Sequence, residues 1–222
     1  MQANPHKRTI AGFTLLELLA VMGIIITLLF MSIRSIGSAL EQARMTRCGA
    51  NLKHLGHALL MYASDHQTSL PAFITNNITW DSVLLPYLQQ NTQIFLCPSD
   101  RLLASGAQTN APRTYAANGG QNYLAGKRYP FGDFNGRPPL PLDLLESRSG
   151  RTILLGERPG DSAGNRGFVG AFPFCTLDQL PGSVHRRGEG GNYLFADGSV
   201  QFLRVAHAAL SADTDYWYCE GF

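Results

Sequence analysis

Charge is scarce in this chain. Asp, Glu, Lys and Arg make up 15% of the 222 residues, against roughly 25% in an ordinary soluble domain, while the apolar share of 45% is unremarkable. Apolar residues must therefore be concentrated in one region. A net charge of +2 with no basic stripe lacks the electrostatic footprint of a nucleic-acid binder. The cysteines Cys48, Cys97, Cys175 and Cys219 are too far apart for a CxxC redox or zinc-knuckle motif. No His-Glu-x-x-His pattern occurs, and the glycine-rich stretch 119–136 lacks the spacing and following Lys-Ser/Thr of a phosphate loop. The expectation is a protein without cofactor, without nucleic-acid partner and without catalysis.

The concentrated apolar region lies at the N-terminus. Residues 1–12 are polar, with His6, Lys7 and Arg8 just ahead of FTLLELLAVMGIIITLLFMSI, residues 13–33. At about 1.5 Å rise per residue such a helix is roughly 30 Å long, the thickness of a bilayer's hydrocarbon core. Lys7 and Arg8 would remain cytoplasmic, placing the C-terminal bulk across the membrane. A secretory signal usually has a shorter apolar stretch, of roughly 7–15 residues, followed by a small-residue cleavage site. Glu17 is the one carboxylate in the run. Ionised and unpaired in lipid it would cost a few kcal/mol or more, on the order of the lowest scales. A plain anchor would have no reason to keep it.

Gly12-Phe13-Thr14-Leu15-Leu16-Glu17, followed by LLAVMGIIITLL, resembles the N-terminal motif of type IV pilins and type II secretion pseudopilins. The resemblance implies cleavage by prepilin peptidase between Gly12 and Phe13, methylation of the new N-terminus at Phe13, and assembly into a filament. There Glu17 would pair with the N-terminal amine of a neighbouring pilin-like subunit, neutralising two buried charges. It also implies a single pass through the bacterial inner membrane, with a periplasmic or extracellular head.

Beyond Arg34 the pattern changes. Ile36, Leu40, Ala43, Leu52, Leu55, Leu59 and Tyr62 recur mostly at steps of three or four, with Glu41, Gln42, Arg44, Arg47 and Lys53 mostly between. This predicts an amphipathic continuation of the same helix, ending near 63–66. The expected division is a cleaved leader (1–12), a transmembrane helix (13–34), its amphipathic continuation (35–66) and a globular head (67–222). The fold class is α+β, a long N-terminal helix packed on a C-terminal antiparallel β-sheet head, pilin-like.

Within the head, Thr79-Trp80-Asp81-Ser82-Val83-Leu84-Leu85-Pro86-Tyr87-Leu88 predicts a short helix that kinks or restarts at Pro86. Gln93-Ile94-Phe95-Leu96-Cys97 reads as extended, 118–141 as a long irregular loop, and 151–156 as a buried strand. Asp197-Gly198 between Tyr193-Leu194-Phe195-Ala196 and Ser199-Val200-Gln201-Phe202 signals a hairpin with a two-residue type I′ turn. That turn would pair Phe195 with Val200 and Tyr193 with Phe202, giving one apolar face of four residues turned to the helix.

A second resemblance covers the head. Cys48-Gly49-Ala50-Asn51-Leu52-Lys53-His54-Leu55-Gly56, Leu85-Pro86-Tyr87-Leu88, Phe95-Leu96-Cys97-Pro98-Ser99-Asp100 and Asn192-Tyr193-Leu194-Phe195-Ala196-Asp197-Gly198 are similar to the prepilin-like DUF1559 group, which carries a C-terminal H-x9-DG signature. Eleven residues rather than nine separate His185 from Asp197 here. In an exported head disulfides are possible, and four cysteines allow three connectivities. Cys48–Cys97 with Cys175–Cys219 is the expected pairing; four buried free thiols are the alternative. His185 with Asp197 makes a poor calcium site because calcium takes oxygen ligands, and His54 with His57 lack a third zinc ligand nearby. No metal is expected. The leading function is a structural filament subunit, and the alternative is a minor or tip subunit, or an anchored receptor using 118–141 to bind a surface or carbohydrate.

Overall fold

The structure, a computed structural model, describes residues 13–72, 74–75, 78–100, 114–119, 129–132, 138–147, 152–157, 185 and 189–204. Gly12, Cys175 and Cys219 lie outside the described residues. The chain divides into two compact units, Met1–Leu40 and Glu41–Phe222. Helix α1, Leu15–Asp65, contributes to both.

In the first unit α1 begins at a cap that the sequence spells out. Thr14-Leu15-Leu16-Glu17 fits the Ser/Thr-x-x-Glu capping box, and the Glu17 N–H donates to Thr14 Oγ1 at 3.3 Å. The carboxylate also sits where the positive end of the helix dipole favours it. From Leu15 to Met31 the apolar side chains are exposed around the whole circumference, including Leu16, Leu19, Ile26 and Phe30. The helix is long and apolar enough to cross a membrane.

In the second unit α1 becomes one-sided. Cys48, Leu52, Leu55, Leu59 and Ala63 are buried, while His54, His57, Leu60 and Met61 are exposed. The spacing of four, three, four and four residues is the expected helical stripe. It starts later than the sequence suggests, since Ile36, Leu40 and Ala43 are exposed. Periodicity marks which residues share a face and does not say where along the helix that face is covered. The helix ends in the left-handed region, with Gln67 and Thr68 at positive φ and the Thr68 N–H donating to the Ala63 carbonyl at 2.8 Å.

A small hairpin, β1 (Ile74–Thr75) and β2 (Ile78–Thr79), leads into α2, Trp80–Leu84. A 3-10 turn, Leu85–Leu88, follows with Pro86 near its start. Trp80 is fully buried, edge-on to Phe95 and Phe131. Thr92–Phe95 is 3-10 helical rather than extended. The cause is local: Asn91 caps the turn, its side chain accepting from the Gln93 N–H at 3.1 Å. In 118–141 the described residues Tyr129, Phe131 and Leu140 are core side chains.

The main sheet is a four-stranded antiparallel meander in the order β3 (Tyr115–Ala117), β4 (Ile153–Glu157), β5 (Gly190–Phe195), β6 (Val200–Arg204). A helix α3, Leu142–Ser147, lies between β3 and β4 in sequence. The β5–β6 register pairs Leu194 with Val200 and Asn192 with Phe202, one residue away from the expected pairing. The loop has three residues, Ala196, Asp197 and Gly198. Phe195 accepts from the Gly198 N–H at 3.0 Å and donates to the Ser199 carbonyl at 2.9 Å. Only Gly198 takes positive φ, +77°, which is the type I turn with a glycine bulge and not the type I′ turn. Because side chains alternate, the single-residue change moves Tyr193 and Phe195 to the far face. The residues meeting α1 are Asn192, Leu194 and Val200: Leu194 packs against Gly56, and Asn192 and Val200 against Gly49. Both Tyr193 and Phe195 are buried as well.

Gly198 stands in open space, so a side chain there is resisted by backbone conformation alone. Gly198→Val should destabilise the head by ~1 kcal/mol or more, because a β-branched residue resists positive φ. Thermal unfolding followed by tryptophan fluorescence measures this, and an unchanged melting curve would refute the glycine bulge.

Candidate functional site

Four segments remote in sequence meet where the sheet covers α1. Cys48 comes from the buried stripe of the helix, and a disulfide joins it to Cys97, with a Cα–Cα distance of 5.1 Å. Closing 49 residues of chain contributes about 4 kcal/mol on a chain-entropy argument. Cys97 follows the Asn91-capped turn and is held on both sides. Its N–H donates to Thr114 Oγ1 at 3.0 Å, whose hydroxyl donates to Asp100 Oδ2 at 3.2 Å. The Asp100 N–H returns to the Cys97 carbonyl at 3.0 Å. Thus Pro98-Ser99-Asp100 forms a turn that fixes the cysteine, and Asn51 of α1 donates to the Leu96 carbonyl at 2.9 Å.

Glu157 is the last residue of β4, opposite Tyr115 in β3, and its side chain is fully buried. A carboxylate out of water needs several donors. Asn192 of β5 supplies two, from its backbone N–H to Oε2 at 2.9 Å and from Nδ2 to Oε1 at 2.8 Å. The third is His185 Nε2, at 3.2 Å from Oε1. His185 is fully buried and bridges in antiparallel fashion to Gly190 at the start of β5. Backbone approaches so closely there that a Cβ on Gly190 would stand 2.2 Å from the Leu203 carbonyl oxygen.

The other ring nitrogen of His185, Nδ1, lies 3.0 Å from Glu41 Oε1. With a carboxylate oxygen at each nitrogen, both N–H groups of the protonated ring find an acceptor, which favours the imidazolium over the neutral ring. Burial alone would push its pKa down; the hydrogen bonds and charges of Glu157 and then Glu41 outweigh burial and hold it above the ordinary value. Glu41, on the half-buried edge, also accepts from Ser99 Oγ at 3.1 Å and faces Arg44 at 3.9 Å. Cys97 Sγ lies 3.6 Å from His185 Nε2. Tyr115 donates to the Cys48 carbonyl at 3.2 Å; burial first, then the Glu157 charge, pushes its phenol pKa well up.

The residues singled out in the sequence are distributed unevenly around this cluster. Cys48, Cys97 and His185 are in it. Asp197 is exposed in the β5–β6 loop, where its Oδ1 accepts from the Ser199 N–H at 2.8 Å, at the opposite end of β5 from His185. His54 and His57 are exposed. Phe13 is exposed and Glu17 stands in the first turn of α1. Sequence reasoning passed over Glu157, Asn192 and Glu41 as site residues. Nothing in their local sequence marks them, although Asn192 heads one of the segments behind the second resemblance. It also counted Gly-x-Ser-x-Gly as absent, whereas Gly160-Asp161-Ser162-Ala163-Gly164 fits that pattern. That pattern signals a nucleophile only on a strand-to-helix elbow, and these residues lie outside those described.

Chemically, the cluster is a closed set of buried polar side chains. Its disulfide is fully shielded, which argues against thiol exchange with a macromolecule. Compared with known proteins, the chain matches no family model, no curated protein and no solved structure. The resemblances therefore rest on the residues quoted for them.

The imidazolium gives a signed pH dependence. Since the folded pKa is raised above 6.5, the stabilisation is complete below pH ~6.5 and is lost as pH rises through the folded value. The disulfide-bonded protein should melt at progressively lower temperature as pH rises from ~6.5 through the folded pKa. His185→Gln should flatten that slope; equal slopes in both proteins would remove the charge bridge.

Proposed function

We propose that this chain is a membrane-anchored, pilin-like structural subunit, cut by prepilin peptidase after Gly12 and assembled through its N-terminal helix into a type IV pilus-like or type II secretion-like filament. The observation that carries this reading is the two-part character of α1. One continuous helix is apolar and uncovered on all sides over its first part, and from Cys48 onward it is one-sided beneath an antiparallel sheet. A bare apolar segment of that length requires lipid or other apolar helices. A single acid at residue 17, five positions after Gly12, fits a segment that exchanges lipid for neighbouring helices, because the partner's freed amine can then neutralise it. The head would lie on the periplasmic or extracellular side, with the inner membrane, prepilin peptidase and other pilin-like subunits as partners. In 118–141, on which the receptor alternative rests, the described side chains Tyr129, Phe131 and Leu140 are buried, and 120–128 and 133–137 lie outside the described residues.

Position 17 lies in the first turn of α1, where its backbone N–H donates to Thr14 Oγ1 at 3.3 Å, so a test of the carboxylate must keep the helix start intact. Glutamine serves the capping position nearly as well as glutamate but cannot neutralise an amine. Glu17→Gln should therefore leave helix content and peptidase cleavage intact while abolishing filaments. Wild-type assembly by that variant would defeat the charge-pairing role. Independently, mass spectrometry of the membrane fraction should find an N-terminal peptide starting at Phe13, with or without a methyl group. Intact Met1 in cells with active peptidase would remove the processing claim.

A further inference from the structure

We propose that in its dithiol form the cluster Cys48, Cys97, Glu157 and His185 is a closed, four-ligand site for a zinc-class divalent ion. The four side chains are buried, and their ligand atoms all lie within 4.8 Å of one another. They come from α1, the Pro98 turn, β4 and the segment bridging to β5, so the site depends on the folded head and no local motif announces it.

Two of the six edges already have tetrahedral lengths, and the sulfur–sulfur edge must open when the disulfide is reduced. Metal–ligand lengths of about 2.3 Å to sulfur and about 2.0–2.1 Å to nitrogen and oxygen imply ligand–ligand edges of about 3.6 Å for S–N and about 3.3 Å for N–O. Cys97 Sγ and His185 Nε2 are 3.6 Å apart, and His185 Nε2 and Glu157 Oε1 are 3.2 Å apart. Two thiolates, an imidazole nitrogen and a carboxylate oxygen suit a borderline-soft tetrahedral ion better than calcium or magnesium. The surrounding contacts are those metal ligands need. Glu41 accepts from His185 Nδ1 at 3.0 Å, which orients the ring and leaves Nε2 for the ion, the carboxylate–histidine–metal arrangement. Asn192 holds Glu157 through two donors. Four protein ligands leave no open position, so the ion's role is structural.

The proton balance is simple. Cysteines are made as thiols, so no reductant is required: the ion replaces the two thiol protons and the proton on His185 Nε2, and three protons leave. The sulfurs must then stand about 3.8 Å apart, a separation that two cysteine side chains can share by rotation about Cα–Cβ. Metal and disulfide exclude each other. A small disulfide oxidant that takes two electrons from the two thiolates, and departs as two thiolates itself, closes the Cys48–Cys97 bond and expels the ion. The inference is independent of the filament reading, since it concerns the head alone.

The test uses the full chain, purified in detergent, with its disulfide opened anaerobically by a tertiary phosphine. Offered Co2+ and then passed through a desalting column, it should retain one ion per chain, with the visible bands of tetrahedral cobalt and a thiolate-to-cobalt charge-transfer band. The oxidised protein should retain none. The double variant Cys175→Ser, Cys219→Ser should retain the full spectrum; Cys48→Ser should lose most of the charge-transfer intensity, and Glu157→Gln should weaken affinity by tenfold or more. Should these variants fail to fold, X-ray absorption of the zinc-loaded wild type decides, with two sulfur and two nitrogen or oxygen neighbours expected. No ion retained by the reduced chain, octahedral cobalt, equal binding by the oxidised protein, or binding lost with Cys175 and Cys219 would each overturn the site. If reduction unfolds the head, recovery of buried-tryptophan fluorescence on adding Zn2+ supports the proposal, and failure to recover overturns it.

Discussion

A carboxylate cannot be taken out of water unless donors surround it, and the buried Glu157 imposes that condition on the second unit. Its oxygens are met by the backbone and side chain of Asn192 and by His185. Meeting the condition aligns the end of β4 with the start of β5 and brings in a segment from far along the chain. His185, once buried and protonated, needs a second acceptor, which Glu41 of α1 provides. Helix, turn and sheet are thus tied by a chain of charges, Glu157, His185 and Glu41, in addition to the stripe of leucines. Such networks add little net stability over an apolar core of equal volume. What they add is a penalty for every alternative register, since a one-residue slip in β5 would turn Asn192 away from Glu157.

The same unit shows how close packing and polar satisfaction share one interface. Leu194 presses against Gly56, and Asn192 and Val200 lie against Gly49. These two glycines are seven residues apart, two turns of α1, on the side facing the sheet. The sheet can therefore come near the helix backbone while Asn192 Nδ2 reaches the Met45 carbonyl at 3.2 Å as well as Glu157. One side chain serves both the helix and the buried acid, which is why a polar residue occupies a position where the hairpin pattern calls for an apolar one.

Much of the architecture was legible in the sequence, and for identifiable reasons. The apolar run with Glu17, the stripe from Leu52 to Tyr62 and the Asp197-Gly198 hairpin are each written in consecutive residues, where period and turn chemistry suffice. The failures share a different cause. The hairpin register turned on whether Ala196 belongs to the strand or the loop, a choice made by the Gly198 bulge, and both loops are compatible with the same residues. The stripe's starting point was misplaced because exposure of Ile36 and Leu40 depends on what covers the helix. Thr92–Phe95 followed the Asn91 cap rather than its apolar content. The site was the least legible part. Cys48, Cys97, Glu157, His185 and Asn192 are separated by dozens of residues, except for the last pair, and only the fold assembles them.

The cluster and the bare helix place opposite demands on one polypeptide. Residues 15–31 expose their apolar side chains, so packing detail constrains them little, and at the helix start Thr14 Oγ1 accepts from the Glu17 N–H. From Cys48 onward nearly every inward position is committed, whether to a disulfide, a leucine contact or a close approach by the sheet. Such a division lets the two halves of α1 change independently. A substitution among the exposed apolar residues leaves the core of the second unit untouched, whereas one at Gly56 or Asn192 alters that core and leaves the apolar segment as it was. Because α1 is continuous, one helix carries both sets of constraints, and the change from one to the other falls between Leu40, still exposed, and Cys48, fully buried.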